Sequence, residues 1–251
     1  MMNASGSSVS IRQRLRVLSG TALIVFLFAL PIYAWAMDDQ YLLTLFGRIL
    51  AFALCALGLN LALGFGGMVS LGHAMYIGFG AYSVGILSEL GVTSGWLHMA
   101  VALATTAVIA AGVGWVALRT KGIAFIMITL AFAQLFYYVF VSLKMFGGDD
   151  GMSLNQVSDF GVLTGSKTAI YLSLSLTVAL ALWLLHRIVH SRFGLVLRAT
   201  MVNERRVNAV GTRSLPYRLA AYVISAELCA LGMARGSQAP WAGTPPKDLS
   251  G

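Results

Sequence analysis

The feature that most constrains this chain is a run of 40 residues, 49–88, that contains no Asp, Glu, Lys or Arg. A helix needs about 20 mostly apolar residues to cross a bilayer, so this run can hold two crossings. Glycines near its centre mark the place for a turn between the two, at Gly64, Gly66, Gly67 and Gly72. We therefore expect lipid, rather than water, to surround much of this chain.

Other uncharged runs predict further crossings, and the composition agrees with them. Apolar residues make up 58% of the chain and charged residues 10%, against about 25% charged residues in a typical soluble domain. We predict an all-α polytopic membrane protein with about six complete transmembrane helices, at residues 18–36, 42–63, 73–90, 95–118, 122–143 and 168–187. A seventh apolar segment begins at Leu219, but Glu227 interrupts it and the apolar run ends near Gly232, so we expect this helix to be partial.

The orientation follows from the Lys and Arg residues, which are enriched in loops on the cytoplasmic side of a membrane. Twelve of them fall before the first predicted helix, between the fourth and fifth, or after the sixth, whereas the opposite loops hold only Lys144 and Lys167. Alternation of six helices puts the three basic blocks on one side, so the N-terminus is predicted to be cytoplasmic. Residues 18–36 are either an uncleaved anchor or a signal peptide that ends in the Ala34-Trp35-Ala36 sequence.

Several classes of function find no support in the sequence. The net charge of +8 does not indicate nucleic-acid binding, because the basic residues sit in short blocks between apolar runs. Cys55 and Cys229 lie in apolar stretches without a CxxC pattern, so neither a disulfide framework nor a metal site is expected. The glycine-rich stretch lacks the G-x-G-x-x-G pattern and a Walker lysine. We expect no enzymatic activity and no cofactor in this chain.

Small and polar residues around the first predicted turn are candidates for the wall of a translocation pathway. Glycines permit broken helices where the backbone lines a cavity, and polar side chains in lipid are costly unless they are hydrogen-bonded or wet. The alternative is tight helix packing with hydrogen bonds between helices. The candidates are Asn60, Gly64, Gly67, Ser70, Gly72, His73, Gly78 and Gly80.

Residues 191–222 form a long polar loop, which contains a predicted amphipathic helix at residues 197–211. Apolar residues such as Val207 alternate there with charged residues such as Glu204 and Arg205. Gly211 suits the position just after a helix C-terminus, and Pro216 can start the next element. A helix of this kind either lies at the membrane interface, serves as a structural linker, or docks into a groove on a partner protein.

Several ordered motifs in residues 40–226 carry a resemblance to a known family. The motifs are Gly58-Leu59-Asn60-Leu61, Gly78-x-Gly80-Ala81-Tyr82, Ser191-Arg192-Phe193-Gly194, Asn203-Glu204-Arg205-Arg206, Ala209-x-Gly211 and Tyr217-Arg218-Leu219. The later motifs resemble the cytoplasmic EAA loop of bacterial ATP-binding-cassette importer permeases. The set as a whole is most similar to the branched-chain amino acid (LivM-type) permeases.

The resemblance implies a role for the loop at about residues 188–218. In that family the loop forms a coupling helix, which sits in a cleft of an ATPase subunit and transmits its closure. The coupling residues that the resemblance implies are Arg198, Asn203, Glu204, Arg205, Arg206, Ala209 and Gly211.

The resemblance also implies a location, partners and a substrate class. The location is the bacterial inner (plasma) membrane, with the chain crossing it several times. The partners are a second permease subunit, two cytoplasmic ATPase subunits that hydrolyse ATP, and a periplasmic substrate-binding protein. The substrates are branched-chain amino acids, or urea or another small amide as in close relatives.

The domain organisation that follows has three parts. Residues 1–17 are a cytoplasmic arm, residues 18–234 are the permease domain, and residues 235–251 are a polar tail rich in Pro and Gly. LivM-type permeases continue with further transmembrane helices at this point, so we expect the tail to be non-native, as in a truncated or frameshifted gene.

A competing function is an ion-coupled secondary transporter or channel for a small neutral solute. Such a protein keeps its energy coupling inside the membrane, commonly through carboxylates in its helices. The spans contain no Asp or Glu apart from Glu89 and Glu227, which we place at span boundaries. The sequence therefore favours the importer permease.

Overall fold

The computed structural model describes residues 40–143 and 167–237, and all the regular elements in these two ranges are helices. The first, α1, is Gln40–Asn60 and continues into a π-helical turn, Leu61–Phe65. The others are α2 (His73–Glu89), α3 (Gly95–Ala117), α4 (Ile123–Ser142), α5 (Lys167–Val189), α6 (Arg192–Ala209) and α7 (Ser214–Ser237).

Five stretches of these helices are long and apolar enough to cross a membrane. They are Leu42–Phe65, Gly95–Ala117, Ile123–Ser142, Thr168–Val189 and Ser214–Ser237. The 17 residues of α2 are at the short end of the range for a span. A multi-pass membrane protein is therefore confirmed as the class of fold, and the five complete helices predicted in the described ranges end within about three residues of the observed helices.

Three sequence-based predictions fall outside the described residues. The helix at 18–36 is one, and with it the count of six complete crossings and the cytoplasmic N-terminus stay predictions. The loop that contains Lys144, predicted to lie opposite the basic blocks, is another. The polar tail is the third, apart from its first three residues, which belong to α7.

The prediction of a partial seventh helix was wrong. Helix α7 continues through Glu227 and past Gly232 to Ser237, which gives it 24 residues. The backbone hydrogen bonds of a helix are local, so one charged side chain does not end it. Small residues beyond Gly232 also pack inward, since Ala234 and Gly236 are both buried.

Helix α7 is the central helix of the bundle and packs against α1, α2 and α3 in turn. Glycines make these contacts close. A Cβ on Gly58 of α1 or on Gly80 of α2 would collide with the α7 backbone, at Ser225 and Ala230 respectively. A Cβ on Gly232 of α7 would lie 2.7 Å from the carbonyl oxygen of Ala51 in α1. Small residues allow this approach, which is how helices associate where lipid removes the hydrophobic driving force.

The remaining helices are more peripheral. Helix α5 packs mainly against α1, and α4 packs against α2 and α3. About half of the large apolar side chains of α4, such as Ile123, Tyr137 and Tyr138, are exposed, as expected for a helix with little protein around it. Helix α6 is short and polar, and it packs against the first half of α7, the end of α5 and the π-helical turn.

Candidate functional site

A polar network joins α1, α2 and α7 at the N-terminus of α2. The Ser225 hydroxyl donates to the carbonyl oxygen of Gly58 at 2.6 Å, and it lies 2.8 Å from Nε2 of His73. Because that single hydroxyl proton is used for Gly58, His73 Nε2–H must be the donor to Ser225. Its other ring nitrogen, Nδ1, is buried and has no hydrogen-bond partner among the described residues.

Two further contacts extend this network. The Tyr76 hydroxyl donates to the Tyr222 hydroxyl at 3.2 Å, and both rings meet His73 edge to face. The thiols of Cys55 and Cys229 each point to the other residue's carbonyl oxygen, at 3.5 and 3.4 Å, and both cysteines are free and buried. The residues at this junction are hydrogen-bonded across helices, which is the arrangement that makes polar groups tolerable in lipid.

The eight predicted pathway residues divide into two groups. Ser70, Gly72, His73 and Gly80 are buried, and Gly78 is half-buried. Gly72 packs against the backbone of α4, because a Cβ there would lie 2.7 Å from the carbonyl oxygen of Thr129. In these residues the structure has the close packing and interhelical bonding that the alternative interpretation described.

Asn60, Gly64 and Gly67 are exposed instead. Asn60 and Gly64 share one face of α1 and its π-helical turn, and a Cβ on Gly64 would collide with Asn60 Oδ1. Gly67 has φ +62° and lies beneath Met201 of α6, in the predicted turn between α1 and α2. Whether this exposed face lines a pathway stays a prediction.

The predicted amphipathic helix is present, but it is broken at Asn203. That residue has extended backbone (φ −157°, ψ 97°), and its side-chain Oδ1 accepts a hydrogen bond from the Arg206 N–H at 3.1 Å. This is the geometry of an N-cap, so residues 204–209 form a separate short helix that begins at Asn203. Gly211 follows with φ +90°, which confirms its predicted position after the helix C-terminus.

Glu204 connects this short helix to two other parts of the chain. Its carboxylate forms an ion pair with Lys121, in the α3–α4 connection, and lies 3.4 Å from Arg218 Nη1 in α7. The Ser214 hydroxyl donates to it at 2.8 Å. Burial alone would raise the pKa of Glu204, but the bonds from Lys121 and Ser214 and the charge of Arg218 together hold that pKa below its ordinary value.

The other coupling residues have different environments. Arg198 donates to the carbonyl oxygens of Gly194 and Val189, at 3.2 and 3.0 Å, and so caps the end of α5. Arg205, Arg206 and Ala209 are exposed on the short helix. Two valines beside them are among the most exposed apolar side chains in the described chain, Val202 at 86% and Val210 at 85%.

A cavity of about 270 Å³ lies behind the short helix. Its lining includes Gly67, Lys121, Phe125, Glu204 and Arg218. The glutamate and both of its cationic partners therefore border one space, between the α1–α2 turn, the α3–α4 connection, α6 and α7.

Sequence reasoning did not identify the partners of Glu204. Lys121 and Arg218 entered only as charges that set the orientation or as letters of a motif, and Ser214 was not singled out. Lys121 lies 83 positions before Glu204, so no local pattern could have paired them.

Glu227 did give a signal in the sequence, because it is a carboxylate in an apolar segment, but the sequence analysis placed it at the end of a span.

The chain was compared with known proteins. The family model for the permease component of the branched-chain amino acid transport system matches residues 41–234. The high-affinity branched-chain amino acid transport system permease protein LivM of Escherichia coli (strain K12) is 24% identical over an alignment of 201 residues, and the match covers 70% of this chain and 47% of LivM. The match thus spans about half the length of that relative. No solved structure matches the chain.

Proposed function

This chain belongs to the family of permease components of branched-chain amino acid transport systems, and from that premise we propose that it is the membrane-spanning subunit of an ATP-driven importer for those amino acids. It works with a second permease subunit, two cytoplasmic ATPase subunits and a periplasmic binding protein, in a bacterial inner membrane. ATP is hydrolysed by the partner subunits.

The observation that carries the proposal is the construction of the short helix at residues 204–209. One side is held by Glu204, through Lys121, Ser214 and Arg218. The other side presents Val202 and Val210, with two arginines between them, away from the rest of the described residues. Exposed valines on a polar helix outside the predicted spans need a covering surface, and a cleft in a partner protein provides one.

This geometry refines the role of Glu204 within the coupling loop. Its carboxylate points into the protein, so its role in the proposal is to position the short helix, while the valines and Arg205 and Arg206 contact the ATPase. A movement of the ATPase cleft then reaches the α3–α4 connection through Lys121 and the central helix through Arg218.

One experiment tests the proposal against the competing function, an ion-coupled transporter. That function is included because Glu227 lies inside α7 rather than at its end. The full set of subunits is reconstituted in liposomes, and leucine uptake is measured with ATP, without ATP, and with a proton or sodium gradient alone. We expect uptake only with ATP, and none when the ATPase subunits carry an inactivating substitution of their Walker lysine. Uptake that follows an ion gradient and ignores ATP would reject the proposal.

A second arm of that experiment examines the docking surface. Val202→Asp and Val210→Asp should reduce co-purification of the ATPase subunits about tenfold or more, because each puts a charge into a desolvated contact. Val202→Ile and Val210→Ile, which keep the surface apolar, are the matched controls. Equal recovery of the ATPase from all four variants would show that this helix is not the contact.

A further inference from the structure

Glu227 lies in the middle of the central helix. It is the 14th of the 24 residues of α7, so about 20 Å of helix precede it and about 15 Å follow it. The hydrocarbon core of a bilayer is about 30 Å thick, which puts this carboxyl group well inside it when α7 spans. Glu89 is the last residue of α2, so within the described spans Glu227 is the only acidic residue away from an end.

One oxygen of the Glu227 carboxyl group is not satisfied by the described protein, and the side chain as a whole is half-buried. Its Oε1 atom is buried and has no hydrogen-bond partner there, and the carboxyl group forms no ion pair with a described residue. The nearest cation along the helix is Arg235, which is separated by two turns, or about 12 Å of rise. A carboxylate only accepts hydrogen bonds, so a donor is what this site lacks.

The position of Glu227 on α7 separates it from the close helix contacts. Ser225 and Cys229 face α1, and Glu227 is two residues from each, so it points about 160° away around the helix. Ala230 faces α2. Glu227 therefore lies on the side of α7 away from α1, beside the face that packs against α2 and α3.

A second unsatisfied group lies at the same depth. Helices α3 and α7 are antiparallel, since Gly114 meets Leu219 near one end and Ala102 packs with Ala234 near the other. One turn inward from that second contact, Thr106 of α3 is level with Ala230, and so within one turn of Glu227. The Thr106 hydroxyl is fully buried and has no hydrogen-bond partner among the described residues.

We propose that Glu227 binds the ammonium group of the amino acid as it crosses the membrane, and that this contact selects against neutral amides such as urea. The inference rests on the proposed function and assigns the residue that recognises its substrate. An ammonium group offers three donors and compensates the charge of the carboxylate, whereas a neutral amide cannot compensate it, so the carboxyl group has to stay protonated beside an amide in a medium of low dielectric constant. The Thr106 hydroxyl is a second unsatisfied polar group within about one helical turn of that depth.

The test compares two small ligands of similar shape on the full chain, purified in nanodiscs. One is 3-methylbutylamine, which is cationic at neutral pH, and the other is the neutral 3-methylbutanamide. The midpoint of thermal unfolding is followed as each is added, because a ligand that binds the folded state raises that midpoint. We expect the amine to raise it, the amide to leave it unchanged, and Glu227→Gln to abolish the effect of the amine.

Two further variants keep this test decisive. Glu89→Gln removes the carboxylate at the exposed end of α2, and this variant should bind the amine as the unchanged protein does. Glu227→Asp retains the charge but shortens its reach, so the apparent Kd for the amine should rise about tenfold, the loss of one charge-assisted hydrogen bond. The proposal is overturned by equal shifts with amine and amide, by a Glu227→Gln variant that still responds, or by an unchanged Kd in Glu227→Asp.

The same variants in the reconstituted importer separate this inference from the proposed function. ATP-driven leucine uptake should fall about tenfold or more in Glu227→Gln while the ATPase subunits still co-purify. Loss of co-purification instead would overturn the inference and assign Glu227 to subunit assembly. A protein that responds to the amine but shows no ATP-dependent uptake would refute the proposed function and leave the amine site standing.

Discussion

Helices α6 and α7 are joined to the rest of the molecule by different kinds of contact. Helix α7 is held by close approach of backbones, with Gly58, Gly80 and Gly232 at the contact points. The short helix of α6 is held by hydrogen bonds and ion pairs that converge on one carboxylate, Glu204. The close packing of α7 should be disrupted mainly by added side-chain volume. The polar contacts of Glu204 should be disrupted mainly by a change of charge. Stability and coupling are therefore expected to respond to different substitutions.

The largest expected effect comes from adding volume at α7. Gly80→Ala puts a methyl group against the backbone of Ala230, which cannot rotate away, and we expect a loss of about 1–3 kcal/mol in the free energy of unfolding. Gly112→Ala in α3 is the matched control, because a Cβ there has nothing within 4 Å. Thermal unfolding in detergent measures both. A Gly80→Ala protein as stable as the control would contradict the central position of α7.

The next effect concerns Glu204. Glu204→Gln keeps the volume of the side chain and removes its charge, so we expect ATP-driven uptake to fall about tenfold with little change in membrane insertion. Arg213→Gln, in the exposed connection between α6 and α7, is the control for a change of charge without loss of the internal contacts. Arg218→Gln should have more effect than Lys121→Gln, since the Lys121 side chain is 65% exposed and that of Arg218 only 12%.

The pH dependence gives a check on the same contact. The folded-state pKa of Glu204 is lowered, so the stability that its charge contributes is present above the ordinary value of 4.5 and is lost as the pH falls through the lower, folded-state pKa. The difference in unfolding midpoint between the unchanged protein and Glu204→Gln should stay constant from pH 8 to about pH 5 and shrink only below that range. A difference that changes steadily near neutral pH would show that another group is responsible.

The smallest expected effect is that of alanine at Gly211 or at Gly91, two glycines with a positive φ. Gly211 after α6 and Gly91 after α2 have φ of +90° and +77°, and a Cβ on either meets nothing within 4 Å. Alanine at each should cost about 1 kcal/mol of stability, because an L-residue is strained in this region. Only Gly211→Ala should also lower the ATPase activity that the substrate stimulates, since only Gly211 adjoins the short helix. Equal activity in the two variants would mean that the end of that helix plays no part in coupling.

The sequence was sufficient to predict the helices, because apolar runs and turn glycines act locally. The run at 49–88 became α1 and α2 with a turn at Gly66 and Gly67, as predicted. The extent of α7 was misjudged, because Glu227 was treated as the end of an apolar run although a helical backbone continues through it. The resemblance indicated Glu204, but not the direction of its side chain.

Contacts between distant residues were beyond a reading of the sequence. His73 and Ser225 are 152 positions apart, and each has several plausible partners until the helices are assembled. The packing role of Gly80 is visible only once Ala230 lies opposite. The pathway residues stay the least determined, since an exposed Asn60 is equally compatible with lipid, a second permease subunit and an aqueous passage.

The break at Asn203 has a mechanical consequence. An extended residue at one end and a glycine with positive φ at the other leave the helix at residues 204–209 without a continuous helical connection to α6 or to α7. We expect such a segment to rotate as a rigid unit about Asn203 and Gly211, and the contacts of the Glu204 carboxylate to set its resting angle. We therefore expect a push on its outer surface to rotate the segment rather than bend it, against the hydrogen bond and ion pairs of Glu204.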